Sequence, residues 1–336
     1  MAKEEILKIE DLEVSFSNGK KQIKTVDGVS LSLRKGETIG IVGESGSGKS
    51  VTALSILRLL DKNGKIVNGK VYFKGNNLTE IDMGKMRSIR GNEISMIFQE
   101  PMTSLNPVYT IGQQIRETLK AHKSSNKVDS NDRGIELLKL VGIPSPKERM
   151  NQYPHELSGG MRQRVMIAMA LACNPELLIA DEPTTALDVT IQAQILDLIN
   201  KLQNELGMSV FMITHDLGVV AETCDQVAVM YGGQVVEFQD VYSLFDKPKH
   251  PYTIGLLNSI PRYDIDVDEL EPIKGSVPNA DEMPIGCRFA SRCEFATELC
   301  HQKLPRLEQL NSGNVRCWIY SNEWDGNPEV NIHEQK

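Results

Sequence analysis

Eight residues limit most strongly what this chain can become: Gly43-Glu44-Ser45-Gly46-Ser47-Gly48-Lys49-Ser50. They are entered from the unbroken apolar run Thr38–Val42 and left through a helical run, Ser50–Leu60. A short continuous apolar run reads as a strand covered on both faces. Strand, glycine turn and helix together form one unit of a wound α/β sheet, and the spacing G-x-x-x-x-G-K-[ST] is that of a phosphate-cradling loop. Glycines let successive backbone N–H groups turn inward toward phosphate oxygens, and the helix N-terminus adds partial positive charge. Gly43, Ser45, Gly46, Ser47 and Gly48 are thus the expected cradle, with Val51 next in the first helical turn. Lys49 is expected at the β- and γ-phosphates, and the Ser50 hydroxyl on Mg²⁺.

Such a loop needs an acidic partner at the end of a neighbouring buried strand. Leu177-Leu178-Ile179-Ala180-Asp181-Glu182 supplies one. Asp181 is expected to orient Mg²⁺ through water, and Glu182 to polarise the attacking water.

Composition excludes several classes. The chain has 336 residues, 40% of them apolar and 24% charged, which is ordinary for a globular protein and allows about two domains. It carries 45 acidic against 37 basic residues, a net charge of −8, and this acidic balance argues against general nucleic-acid binding. Its apolar stretches are short, far below the roughly 20 residues of a spanning helix. Met1–Glu10 lacks the apolar core of a secretory signal, so a cytoplasmic location is expected.

Along the chain, Ile6–Phe16 and Val29–Leu33 alternate as half-buried antiparallel strands do. Helices are expected over Ile111–Ala121 and Gly134–Val141, joined by a polar connector, His122–Arg133, and over Arg162–Ala172 and Ile191–Leu206. Leu177–Ala180 and Ser209–Ile213 read as buried strands. Val227–Tyr231 and Val235–Phe238 flank Gly232-Gly233 as a two-residue hairpin. The composition shifts after Asp240, and Asp264–Glu282 reads as a solvated linker. The expected domains are 1–240, with a helical insertion at about 100–165, and 241–336.

Four of six cysteines fall in the tail, as Cys287-x5-Cys293-x6-Cys300-x16-Cys317. Three readings compete: scattered buried thiols, structural zinc, and a 4Fe–4S cluster held by four thiolates. These gaps are longer than the usual C-x₂₋₄-C of zinc knuckles, so the cluster is the leading expectation and zinc the alternative. Arg288, Arg292 and Arg316 beside the thiolates would offset their charge. Cys173 and Cys224 read as small apolar fillers.

Leu157-Ser158-Gly159-Gly160-Met161, just before the helical run 162–172, resembles the LSGGQ signature loop of ABC transporter ATP-binding subunits, with Met161 in place of the glutamine. Further motifs follow in the family's order over residues 5–240. Gln99, after Met96-Ile97-Phe98, resembles the Q-loop glutamine; Thr185-Ala186-Leu187-Asp188 resembles the D-loop; His215, after Ile213-Thr214, resembles the switch histidine. The resemblance implies an α/β P-loop ABC-type ATPase fold, with an antiparallel β subdomain, an inserted helical subdomain and a small irregular C-terminal metal-binding domain. It implies head-to-tail dimers that sandwich ATP and Mg²⁺. The phosphate loop of one subunit would then face Ser158, Gly159 and Gly160 of the other, and Asp188 would cross the interface. It also implies Gln99 at Mg²⁺, His215 at the γ-phosphate, and an aromatic stacked on adenine, for which Phe16 is the candidate unless it serves as a core strand aromatic.

Glu100–Pro107, Asp188–Leu196, His250-Pro251-Tyr252-Thr253 and Cys287–Cys293 resemble one branch, the peptide importers, with close relatives for nickel and glutathione. That branch implies a cluster-binding extension, a paralogous ATPase subunit, two permease subunits and an extracytoplasmic peptide-binding protein. The chain would sit peripherally on the cytoplasmic face of the membrane. Permease helices would dock on Gln99–Asn106, where Pro101, Met102, Leu105 and Pro107 are expected to be exposed. The alternatives are a non-transport ABC ATPase, which the acidic charge and the single cassette disfavour, and a sensing module built on the tail metal.

Overall fold

The computed structural model describes residues 4–19, 21–99, 104–122, 127–185, 188–259, 273–311, 313–327 and 332, with side chains from 130 onward in the segment that starts at 127. Glu100–Thr103, Ala186, Leu187 and the first part of the expected linker (through 272) lie outside them. Two compact units interleave along the sequence: 1–6, 33–38 and 77–213 in the first, and 7–32, 39–76 and 214–336 in the second.

In the first unit the strand Leu177–Asp181 runs parallel between Ile94–Ile97 and Ser209–Ile213, in the registers Ile94↔Leu177 and Leu177↔Ser209. Every residue of Leu177–Asp181 and Ser209–Ile213 is buried, as a strand covered on both faces demands. Helices Ile111–His122, Lys127–Leu140 and Gly159–Ala170 pack on one another. The second begins seven residues before the expected Gly134, so the polar connector is mostly helix. Its Asp, Asn and Lys residues hide the apolar period there. The helix Val189–Leu206 buries Ile195, Leu198, Ile199 and Leu202, one stripe at spacings of three and four. Asp188 opens it, its Oδ1 accepting the Ile191 N–H at 3.0 Å, and Gly207 closes it at φ 64°.

In the second unit the antiparallel strands Glu5–Asn18 and Lys21–Arg34 are joined by a third, Gly64–Phe73, that the sequence pattern did not disclose. Its Gly69 has φ 89°, and a Cβ there would lie 2.4 Å from the Asp11 carbonyl oxygen. The register shifts between Glu10 and Glu13, so this is a bulge, and it breaks the period-two signal. Ile39–Val42 pairs in parallel with Gln226–Val229, which turns at Gly232-Gly233 into Gln234–Asp240. The tail adds two short strands here: Gly313–Val315 on Gln239–Glu237, and Glu308–Leu310 outside it. The extension is therefore built in part as sheet, where an irregular domain is expected. No helix among the described residues is long and apolar enough to cross a membrane.

Candidate active site

The phosphate loop is held in shape by contacts that a side chain at two glycines would destroy. A Cβ on Gly43 (φ 147°) would lie 2.1 Å from the Met230 carbonyl oxygen. Gly48 (φ 97°) stands in the left-handed region at the helix entry, 3.1 Å from Thr25 oxygen by the same test. The Gly233 N–H donates to the Ser47 carbonyl at 2.9 Å, tying the loop to the glycine hairpin. Lys49 is buried, its Nζ donating to the carbonyls of Gly43 at 2.7 Å and Glu44 at 3.0 Å. Ser45 and Gly46 are exposed, whereas Ser47 is 1% exposed and its Oγ is buried without a hydrogen-bond partner. A buried, orphaned hydroxyl is costly unless a ligand satisfies it, and a phosphate oxygen supplies what it lacks. Ser50 and Val51 are half-buried in the first turn of the helix Lys49–Ile56. The hydroxyl of Ser50 is a hard oxygen donor of the kind that Mg²⁺ takes.

Phe16 is half-buried in its strand, opposite Gly64 in the sheet register. A Cβ at Gly64 would fall 2.6 Å from the Phe16 ring, so the ring lies over the glycine. His215 is exposed between buried Thr214 and Leu217, just before a helix that Asp216 caps by accepting the Gly218 N–H at 2.8 Å.

In the first unit, Asp181 ends its strand 6% exposed, and Glu182 follows in a left-handed conformation, φ 46°. That backbone is uncommon for a residue with a Cβ and turns the chain sharply at the strand end. The Glu182 N–H is held by the Ile213 carbonyl at 3.0 Å. Its Oε2 accepts from Gln99 Nε2 at 2.9 Å and from Thr185 Oγ1 at 2.8 Å. The Q-loop glutamine and the expected base thus touch directly, and Thr185, quoted only as part of the D-loop motif, is a second donor to that base. Buried Gln163 donates to the Pro183 carbonyl and steadies the turn from behind.

Ser158 opens the helix Gly159–Ala170, its Oγ accepting the Met161 N–H at 3.3 Å. Ser158 and Gly159 are exposed, and a Cβ at Gly159 would meet nothing within 4 Å. The signature loop is therefore an open helix N-terminus. The segment expected to be exposed for docking differs in one residue: Leu105 is 2% exposed and belongs to the core. Pro107 is exposed, Val108 is 70% and Tyr109 41% exposed, while Pro101 and Met102 lie outside the described residues.

In the tail, Cys287, Cys293, Cys300 and Cys317 all line one small cavity, with Trp318 and Trp324. All four are free thiols. Burial pushes the Cys287 thiol up to about 11 and Cys293 up to about 12, the neutral state of small apolar side chains. The donor set matches soft-metal chemistry in kind. Among the described residues no group of three or more His, Cys, Asp or Glu stands close enough together to hold a metal ion as the side chains now lie. The three arginines are also engaged elsewhere: Arg288 donates to the Gly232 carbonyl and Asp27, Arg292 to Glu44, and Arg316 to the Val235 carbonyl at 3.1 Å. Each carries its guanidinium to an oxygen acceptor, and no local sequence signal marks these partners. Cys173 and Cys224 are buried as expected, 6% and 8% exposed.

Comparison with known proteins places this geometry. A family model described as ABC transporter matches residues 26–185, and one described as oligopeptide/dipeptide transporter, C-terminal region, matches 236–300. An oligopeptide transport ATP-binding protein, AppD, of Bacillus subtilis is 54% identical over 95% of this chain and 98% of its own length. A dipeptide transport ATP-binding protein, DppD, of Haemophilus influenzae is 50% identical over 96% and 98%. Among solved structures, the dimeric post-hydrolysis state of the ATP-binding cassette MJ0796 bound to ADP and Pi matches with a TM-score of 0.63 at 30% identity, over 70% of this chain and 98% of that one. With a loop built for phosphate and relatives matched over nearly their whole length, the chain belongs to the ABC transporter family of ATP-binding subunits, in the branch that carries the oligopeptide/dipeptide transporter C-terminal region.

Proposed function

We propose that this chain hydrolyses ATP to power peptide import, paired with a paralogous ATPase subunit under two permease subunits that an extracytoplasmic peptide-binding protein supplies. The single observation carrying this reading is that one chain joins the phosphate loop at 43–50 to the oligopeptide/dipeptide C-terminal region at 236–300. Its station would be peripheral, on the cytoplasmic face of the membrane. Residues 1–240 form the ATPase domain, with the helical subdomain at about 100–165, and 241–336 form the extension.

In this reading the backbone of Gly43–Gly48, with Lys49, binds the phosphates, and Ser47 Oγ gains the partner it lacks. Phe16 lies against the adenine. Mg²⁺, when bound, neutralises charge on the phosphate oxygens, and Ser50, Asp181 and Gln99 would hold it. Glu182, oriented by Gln99 and Thr185, takes the proton from the attacking water, and His215 contacts the γ-phosphate. Ser158, Gly159 and Gly160 serve the nucleotide of the paired subunit, and Asp188 reaches across that interface. The tail thiols would hold a 4Fe–4S cluster, with zinc as the alternative. Their convergence on one cavity supports this, and iron, sulfide and zinc assays on anaerobically purified protein test it.

Reconstitution into vesicles with both permeases, the paralogue and the binding protein tests the main reading. ATP-dependent uptake of labelled di- and oligopeptides is expected. Uptake of nickel or glutathione with no peptide uptake moves the chain to a sister importer. ATP hydrolysis that no permease pair stimulates removes it from transport.

A further inference from the structure

Arg292 stands beside Cys293 in the tail, 248 positions from Glu44, yet its guanidinium closes on the Glu44 carboxylate through two parallel bonds. Nη1 donates to Oε2 at 2.8 Å and Nη2 to Oε1 at 3.1 Å, and the arginine side chain is only 5% exposed. This fork-on-carboxylate geometry is among the strongest and most directional of ion pairs. The arginine is itself fixed, with Nε on the Lys274 carbonyl at 2.8 Å and its plane over the Tyr231 ring, 5.6 Å from the centroid.

Glu44 is the second residue of the phosphate loop, and every polar group of it with a described partner is used to hold that loop. Its N–H donates to the Tyr252 hydroxyl at 2.9 Å, and its carbonyl accepts Lys49 Nζ at 3.0 Å. A shift of Glu44 therefore moves an acceptor of the phosphate-binding lysine. Four residues earlier, Arg288 grips the Gly232 carbonyl and Asp27, and the neighbouring Gly233 N–H holds the Ser47 carbonyl at 2.9 Å. The stretch Arg288–Arg292 thus reaches both ends of the loop, directly at Glu44 and through the hairpin at Ser47.

We propose that Arg292 is a positioning residue of the ATPase: by clamping Glu44 it keeps the phosphate loop in its ATP-accepting shape, so that the tail sets the affinity for MgATP. This rests on the reading that the loop binds ATP. Neither Arg292 nor the Glu44 carboxylate is assigned a contact with the reacting atoms. Once ATP is bound, its phosphates order the loop themselves. The cost of losing the clamp therefore falls on binding and spares the chemical step. If the competent loop drops to about a tenth of the population, apparent affinity falls about tenfold.

The test uses the full chain, with MgATP titrations, steady-state hydrolysis and thermal melting. Arg292→Gln, Glu44→Gln and the double variant are compared with Lys49→Ala and with Arg292→Lys. Expected are an ATP Kd and KM about tenfold higher in each single variant, kcat within threefold, a double variant no worse than either single, and partial recovery in Arg292→Lys. Additive effects, an unchanged KM, or a loss confined to kcat overturn the proposal. If Arg292→Gln disturbs the tail fold, Glu44→Gln decides alone, because it leaves Arg292 on its carbonyl partners. ATP binding that survives in Lys49→Ala refutes the loop reading itself; binding that Lys49→Ala abolishes but the clamp variants leave untouched refutes only the clamp.

Discussion

Glu182→Gln separates the chemistry from the architecture that carries it. The carboxylate oxygen Oε2 receives both Gln99 Nε2 at 2.9 Å and Thr185 Oγ1 at 2.8 Å. A glutamine can place its amide oxygen where Oε2 stands and keep both donors, and its length and its tolerance of the left-handed backbone match those of glutamate. What it cannot do is accept a proton from water. The melting temperature is therefore expected to stay within about 2 °C of the parent, since well under ~1 kcal/mol of folding free energy is at stake. Removing a general base costs ~10²–10⁴ in rate, which at ~1.4 kcal/mol per decade is roughly 3–6 kcal/mol of transition-state stabilisation. The assay is phosphate release at saturating MgATP by the reconstituted transporter, alongside equilibrium binding of a fluorescent ATP analogue. Binding at parental affinity with turnover lowered at least a hundredfold is the expected pair of results. Turnover within threefold of the parent, at unchanged melting temperature, would refute the role of Glu182.

Three further outcomes follow from the same structure. Gly43→Ala forces a Cβ to 2.1 Å from the Met230 oxygen at φ 147°; strain of roughly 1–3 kcal/mol should lower the melting temperature by ~2–10 °C and ATP affinity by more than about tenfold, read by calorimetry and titration. Lys49→Ala should abolish measurable ATP binding, because the only side-chain cation of the loop motif is lost; an unchanged ATP titration would contradict this. His250 is wholly buried, its Nδ1 accepting the Tyr252 N–H at 3.0 Å, and burial pushes its imidazole down to about 3. A depressed folded-state pKa gives stability that is complete above the unfolded value near 6.5 and drains as pH falls toward 3, by up to ~1.4 kcal/mol per pH unit. Urea unfolding of parent and His250→Asn between pH 7 and 5.5 should therefore converge on acidification, and a constant difference would show that His250 does not titrate with unfolding.

The chemistry of this protein was legible from its sequence because phosphate binding needs contiguous residues. The cradle of Gly43–Ser50 is one strand end, one turn and one helix start, all set by local spacing, and the same holds for the acid pair after Leu177–Ala180. Unbroken apolar runs likewise foretold the buried strands at Thr38–Val42, Leu177–Ala180 and Ser209–Ile213, whereas the parallel strand Ile94–Ile97, interrupted by Ser95, gives no such run. Periodicity failed where the backbone breaks period, as at the Gly69 bulge, and where polar residues crowd a stretch of sequence that folds as helix, as over 127–133.

Only the tertiary structure decided which distant groups meet. Nothing local tells Arg292 that its acceptor lies 248 residues away, or that Leu105 faces the core and Val108 the solvent. The three tail arginines look from the sequence like counter-charges for thiolates, yet folding also brings each to an oxygen acceptor, while Arg316 still acts on the Cys287 thiol through its charge. A buried guanidinium must satisfy a fork of five N–H donors, and carboxylates and strand-end carbonyls do so better than a thiol. Local spacing thus determined what this chain can bind, whereas the long-range satisfaction of buried charge determined what holds the binding loop in place.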